Sequence, residues 1–174
     1  ANGAAFSSSG AARLAFVQAP NVGPFNNDGT YNLRGNQIGY GNNLTGLQFQ
    51  NAQYLLDKNT YSAQNDHIIS NFYIGLKLAK GLNFKSLYGI DNLIVENKDF
   101  LDALHGDGFA DGGSATNTMN RYSRKSIQNV LDYNITLAEE HNLSALLGSE
   151  RQYSKIDAWG ATRKTVSDPF FNEY

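Results

Sequence analysis

The amino-acid sequence predicts an all-β chain that forms part of a large antiparallel transmembrane β-barrel, with long hairpins, short turns at one end and long loops at the other. Three observations lead there. Apolar and polar residues alternate along two long hairpins. A stretch of about 25 residues, Asn97 to Arg121, joins them, longer than compact domains usually tolerate and ordinary for barrel loops. No second sheet or amphipathic helix of matching length is foreseen to cover the apolar face, and four long strands cannot hide two sheet edges.

Residues 1–66 hold no sustained periodicity and read as an extracellular loop region. Ser7 to Gly10 leads into Ala11-Ala12-Arg13-Leu14-Ala15-Phe16-Val17-Gln18-Ala19, which suits a short helix stopped at Pro20. Turn-forming clusters follow, Asn26-Asn27-Asp28-Gly29 among them, with Phe16, Phe25, Tyr31, Tyr40, Phe49 and Tyr54 as anchors that a solvated tail would lack.

Barrel strands are expected over 67–174. In the first hairpin, about 67–96, the even positions Ile68, Ser70, Phe72, Ile74, Leu76 and Leu78 are mostly apolar, while Asn71, Tyr73, Gly75 and Lys77 are small, polar or amphipathic. Ala79-Lys80-Gly81 interrupts the pattern as a three-residue turn with Gly last, in the left-handed conformation such a turn requires. That turn pairs Leu78 with Leu82, Leu76 with Phe84 and Phe72 with Tyr88, all on one face. The second hairpin, about 122–158, turns at Glu139-Glu140-His141 and sets Leu137 opposite Leu143, Ile135 opposite Ala145 and Tyr133 opposite Leu147. The loop 97–121 lies between them, and a further loop or strand begins at the C-terminus. The polar face supplies the lumen candidates Lys77, Lys85, Asp91, Asp132 and Glu150. The apolar face supplies the lipid-facing candidates Phe72, Ile74, Leu76, Leu78, Phe84, Tyr133, Ile135 and Leu137.

Composition narrows the function. With 14 Lys+Arg against 16 Asp+Glu the formal charge is −2, which gives no basic excess for nucleic acid. The absence of cysteine excludes disulfide scaffolds, zinc fingers and thiol nucleophiles. No apolar run reaches the roughly 18 to 20 residues of a spanning helix, and Ala1-Asn2-Gly3 does not open a secretion signal. Spanning strands escape that hydropathy test, because their apolar residues come at every second position.

With its residues so arranged, the chain resembles an internal stretch of the barrel of SusC/RagA-family TonB-dependent outer-membrane transporters. The resemblance covers roughly residues 15–160 and rests on ordered motifs: Asp66-His67-Ile68-Ile69-Ser70-Asn71-Phe72-Tyr73, Leu78-Ala79-Lys80-Gly81-Leu82-Asn83-Phe84-Lys85 and Tyr88-Gly89-Ile90-Asp91 in the first hairpin, then Asn129-Val130-Leu131-Asp132-Tyr133-Asn134 and Leu143-Ser144-Ala145-Leu146-Leu147-Gly148. Ala52 stands where the family commonly has proline, and His67 where it has a basic residue. The resemblance implies a fragment of a 22-stranded barrel in the bacterial outer membrane, in contact with outer-membrane lipid. It also implies a plug, energy from the TonB complex and capture of a bulky nutrient, glycan or peptide, by a SusD-like surface lipoprotein. Neither plug nor TonB box lies in these residues.

Chemistry beyond transport finds little footing. His67, His105 and His141 are dispersed over a strand start, a loop and a turn, and suit structural or solvated roles better than metal binding. Ser7-Ser8-Ser9 lacks the elbow glycines of a hydrolase nucleophile. Asp107 and Asp111 lack the regular ligand spacing and closing glutamate of a calcium loop. No enzyme activity, catalytic residue, cofactor or metal is expected. The loop aromatics Tyr31, Tyr40, Phe109 and Trp159 are of the type that stacks on sugars, so the alternative is a soluble β-sandwich carbohydrate-binding module; Tyr73, Tyr88, Tyr122 and Tyr153 suit an interface girdle or a lumen.

Overall fold

The structure is a computed structural model that describes residues 11–46, 49–138 and 140–168. Its elements, in order, are α1 (Ala11–Val17), β1 (Gly39–Tyr40), β2 (Asn43–Leu44), α2 (Ala52–Lys58), β3 (Thr60–Ala79), β4 (Leu82–Leu101), a 3-10 turn (Gly106–Asp111), β5 (Ser114–Leu137) and β6 (His141–Lys164). The four long strands form one sheet in the order β3-β4-β5-β6, and β1 pairs with β2 in a small separate ribbon. Two compact units result. One gathers Ala1–Ala63, Glu96–Met119 and Trp159–Tyr174, the other Gln64–Val95 and Asn120–Ala158.

The first unit has a core. Leu14 of α1 meets Tyr54 and Leu55 of α2, with Tyr31, Leu33 and Ala52 packed around them. The second unit has none: among its described residues only Gly89 is buried. Ile68, Phe72, Ile74, Leu76, Leu78, Leu143 and Leu147 are each about half or more exposed, and β3 is exposed along its whole length. Both outer strands have an unpaired edge among the described residues. Each large apolar side chain left in water forgoes roughly 1.5–3 kcal/mol of burial energy, so this unit must find apolar surroundings elsewhere.

Cross-strand contacts fix which residues share a face. His67 Nε2 lies 2.8 Å from Asp91 Oδ1, Tyr61 donates to Asn97, and a Cβ at Gly89 would meet Asn71 Oδ1 at 3.0 Å and Ser126 Oγ at 2.7 Å. The odd positions of β3 and β4 therefore lie together, and Gly89 opposite Asn71 matches the pairing of Leu78 with Leu82. Between β4 and β5, Asn83 bonds Asp132, Ser86 bonds Asn129 and Ser123 bonds Asn92, all at one register offset. Odd residues of β4 thus face even residues of β5. Gly81 takes φ 79°, its carbonyl accepts from Asn134 N–H at 2.8 Å, and a Cβ there would run into the Asn134 carbonyl; both the turn and the neighbouring strand require glycine.

The second hairpin departs from the expected register. β6 begins at His141 and Ala138 takes φ 52°; Glu139 lies outside the described residues. Thr136 with Asn142, Asn129 with Ser149 and Thr116 with Thr162 share one offset, which sets Leu143 beside Ile135 rather than Leu137. A slip of two residues keeps every side chain on its face, so alternation alone could not separate the two registers.

The strands also run further than hydropathy indicates, to Leu101 and from Ser114, and β3 begins at Thr60. Thr60–Asp66, Asn97–Leu101 and Ser114–Arg121 are largely polar on both faces, so they pair without an apolar alternation to announce them. Trp159, expected in a loop, lies in β6. Residues 7–10 and 169–174, which carry the expected helix entry, the Ser7-Ser8-Ser9 run and part of the C-terminal segment, lie outside the described residues.

The face assignment yields a contrast between neighbours. In the intact protein Leu76→Arg should abolish most barrel assembly, at a cost of roughly 2–4 kcal/mol for a cation on a lipid face, whereas Lys77→Leu should assemble nearly as wild type. Heat-modifiable gel migration reads this directly; equal assembly of both variants would contradict the assignment.

Candidate functional site

The polar face of the second unit is the first candidate surface. Near the turns, Lys85, Val130, Asp132, Asn134, Ser144 and Leu146 line an open depression of about 500 Å³, where Asn83 Nδ2 donates to Asp132 Oδ2 at 2.9 Å. Further along the strands, His67, Asp91, Tyr122, Arg124 and Ser154 line a second, of about 340 Å³. Of the five residues that the sequence assigns to a lumen, Lys85 and Asp132 meet in the first depression and Asp91 joins His67 in the second. Lys77 and Glu150 stand exposed on β3 and β6 and line neither. Both depressions set a cation and a carboxylate among neutral polar groups and apolar side chains, Val130 and Leu146 in the first and Leu93 and Ile156 in the second.

The eight residues assigned to lipid lie on the opposite face. Phe72 on β3 is 63% exposed and Leu76 51%, Ile74 and Leu78 accompany them, and Phe84 on β4 with Tyr133, Ile135 and Leu137 on β5 continue the same side. One polar row crosses this face: Ser86 donates to Asn129 Oδ1 at 2.8 Å, and Asn129 Nδ2 reaches Ser149 Oγ at 3.5 Å. The three groups hydrogen-bond one another across the strands.

In the first unit a buried polar hub organises the loops. Asn51 caps α2, its Oδ1 accepting from Tyr54 N–H at 3.1 Å. Its Nδ2 donates to the Pro24 and Asn32 carbonyls, and its own N–H donates to His105 Nε2 at 2.8 Å. Since Nε2 accepts there, the proton of the neutral ring sits on Nδ1 and is donated to the Gly35 carbonyl, 2.8 Å away. Both Asn51 and His105 are fully buried, and burial, opposed by the Gly35 bond, holds the His105 pKa below its ordinary value. Ala52 follows the cap at the first helical position, where proline's missing N–H costs nothing, so the departure from the family pattern leaves the helix intact.

Rings continue the hub: Phe25, Tyr31, Tyr54 and His105 contact in sequence, with centroids 5.2, 5.0 and 5.8 Å apart. Tyr54 Oη donates to Asp102 Oδ1 at 2.6 Å; burial first, and then this carboxylate, raise the phenol's pKa well above its usual value. Tyr31 donates to Asp57 and so serves packing, while Tyr40 is 81% exposed. Asp111 pairs with Lys164 at 3.0 Å, and no group of three metal-ligating side chains occurs among the described residues. The sequence reading missed α2 and this hub. Asn51 followed by Ala-Gln-Tyr-Leu-Leu was a readable cap and helix start; the partner His105, 54 residues on, was not readable.

No family model matches the chain. In sequence it is similar to TonB-dependent receptor P3 of Formosa agariphila, 29% identical over 147 residues, which are 84% of this chain and 14% of the receptor. In fold it is similar to the RagAB peptide transporter, with TM-score 0.60 and 21% identity over 83% of this chain and 16% of that one. The RagAB peptide importer in its open-open state gives TM-score 0.57 and 21% identity over 81% of this chain and 15% of that one. The chain thus spans a small part of the length of each. The resemblance carried by the sequence motifs, to a stretch of a SusC/RagA-type TonB-dependent transporter, is borne out in sequence by the receptor and in fold by the RagAB structures.

A pH dependence follows from His105. A depressed pKa contributes stability that is fully present above the unfolded value, 6.5, and is lost as pH falls through and below it. Protection of the Asn51 and α2 amides against exchange, relative to the intrinsic rate at each pH, should therefore fall between pH 7.5 and pH 5, and His105→Gln should flatten that dependence. The same steep profile in His105→Gln would show that another group governs it.

Proposed function

We propose that this chain is part of the wall and outer loops of a TonB-dependent outer-membrane transporter that imports a bulky nutrient, peptide or glycan. The observation that carries the reading is the two-faced second unit: an apolar face with no core of its own and an opposite face that carries the charged residues in open depressions. A barrel wall needs both, with lipid on one side and a lumen on the other. The sequence likeness to a TonB-dependent receptor supports the energy source, and the fold likeness to a peptide transporter favours peptide over glycan as the first class to test. A SusD-like lipoprotein is the partner that the family resemblance implies, and the loops organised by Asn51 and His105 are the part of this chain suited to meeting it.

The lumen candidates then act as a wall rather than as a tight site. Asp132, Lys85, Asp91 and His67 offer weak alternating contacts to backbone amides and charged ends of a passing peptide, which favours transit because no single contact traps the solute. The apolar candidates anchor the wall in lipid.

Deleting the gene of the intact protein should abolish accumulation of labelled oligopeptides that depends on TonB, and plasmid copies should restore it. Uptake of oligosaccharides but not peptides would reassign the substrate, and unchanged uptake of both would overturn the transport reading.

A further inference from the structure

Above the apolar band, the outward face of β5 and β6 turns abruptly cationic. Along β5 the outward positions run Leu137, Ile135, Tyr133, Leu131, Asn129 and Ile127, and then Lys125, Ser123 and Arg121. Along β6 they run Leu143, Ala145, Leu147 and Ser149, and then Arg151, Tyr153, Lys155 and Asp157. The contacts that join Thr136 to Asn142 and Thr116 to Thr162 set Lys125 beside Tyr153 and Arg121 beside Asp157. Lys125 therefore lies diagonally between Arg151 and Lys155, at the roughly 7–8 Å spacing of such neighbours. Arg121 is near enough to act electrostatically on Lys155. The carboxylate of Asp157, 2.8 Å from Lys155 Nζ, offsets one of the four charges.

The height of the patch is set by strand geometry. From Leu137 to Ile127 the apolar row advances about 33 Å at roughly 3.3 Å per residue. At a strand tilt of about 40° this is about 25 Å along the membrane normal, the height of a barrel's apolar band. Lys125 comes directly after it and Arg151 stands beside Ile127 at its upper edge, at the level of the headgroups, on the side away from the short turns. The outward positions that the register sets beside them on β4, Ile90, Asn92 and Ile94, and next to these on β3, Ser70, Ile68 and Asp66, carry no cation, so the cations form a discrete patch rather than a belt.

Resting on the barrel-wall reading above, we propose that Arg121, Lys125, Arg151 and Lys155 form a binding patch for the phosphate groups of an anionic lipid in the outer leaflet. The arginines offer paired N–H donors to phosphate oxygens and the lysines add point charges. Tyr153, in their midst and 60% exposed, gives the lipid's apolar portion a ring to lie against. Hydrocarbon below and phosphate above are the two halves of one lipid molecule, and this face presents a surface for each in the right order.

The intact transporter, purified from outer membranes in mild detergent, tests this by lipid phosphorus per barrel and by native mass. The double variant Lys125→Gln/Arg151→Gln should retain roughly tenfold less phosphorylated lipid than wild type. Lys77→Gln/Lys85→Gln, on the opposite face, should retain the wild-type amount, and Lys125→Arg/Arg151→Lys should keep it as well. Equal retention in the Lys125→Gln/Arg151→Gln variant, or equal loss in the Lys77→Gln/Lys85→Gln variant, would overturn the patch. Heat-modifiable migration, read on the same samples, separates the two levels: a wild-type protein that forms no barrel refutes the wall reading, whereas intact barrels with unchanged lipid refute only the patch.

Discussion

Apolar side chains that lack a core must be covered by something beyond the described residues, and that constraint governs the second unit of this protein. Phe72, Ile74, Leu76 and Leu78 on β3 and Leu143 and Leu147 on β6 lie on long, regular, hydrogen-bonded strands. The sheet is therefore well formed in its backbone and incomplete in its packing. Local geometry and burial disagree where a partner is missing, and on the proposed barrel-wall reading the partners of this sheet are further strands alongside and hydrocarbon across the apolar face. The polar row Ser86, Asn129 and Ser149 fits the same constraint, because each member finds its hydrogen bond within the row.

The first unit solves the opposite problem. Its segments are too short and too rich in glycine and asparagine to make a core by periodic packing, so buried polar groups do the organising. Asn51 joins the Pro24 and Asn32 carbonyls, the start of α2 and His105, and His105 passes the connection to Gly35. Losing one member of such a hub leaves buried donors or acceptors unpaired, at roughly 1–3 kcal/mol each, so loops held this way are ordered and yet sensitive to protonation at a single imidazole. For loops that meet cargo or a partner protein, order without a large apolar core keeps their outer surface polar.

How much of this was legible in the sequence differs by region for physical reasons. From Ile68 to Ile90 the alternation of period two, with Gly81 at the turn, dictated both the strands and their faces. In the second hairpin the same alternation gave the faces but left the register open, since a slip of two residues moves Leu143 from Leu137 to Ile135 without changing sides. Thr60–Asp66 and Ser114–Arg121 were unreadable as strand because neither face there is apolar. The Asn51–His105 hub depends on contacts spanning 54 and 70 residues, which no local pattern encodes, although the Asn51 cap itself was visible. The polar and apolar faces were thus foreseeable as surfaces, while the groups that meet across strands in the two depressions, such as His67 with Asp91, depended on register.

The central claim is that the apolar face of this sheet meets lipid. Nitroxide labels placed singly from Phe72 to Leu78 in the intact transporter, reconstituted in bilayers, address it through collision with oxygen, which concentrates in hydrocarbon, and with a nickel chelate, which stays in water. Oxygen accessibility should peak at Phe72, Ile74, Leu76 and Leu78, with the chelate peaking at Tyr73, Gly75 and Lys77. An absence of alternation, or alternation of the opposite phase, would contradict the account.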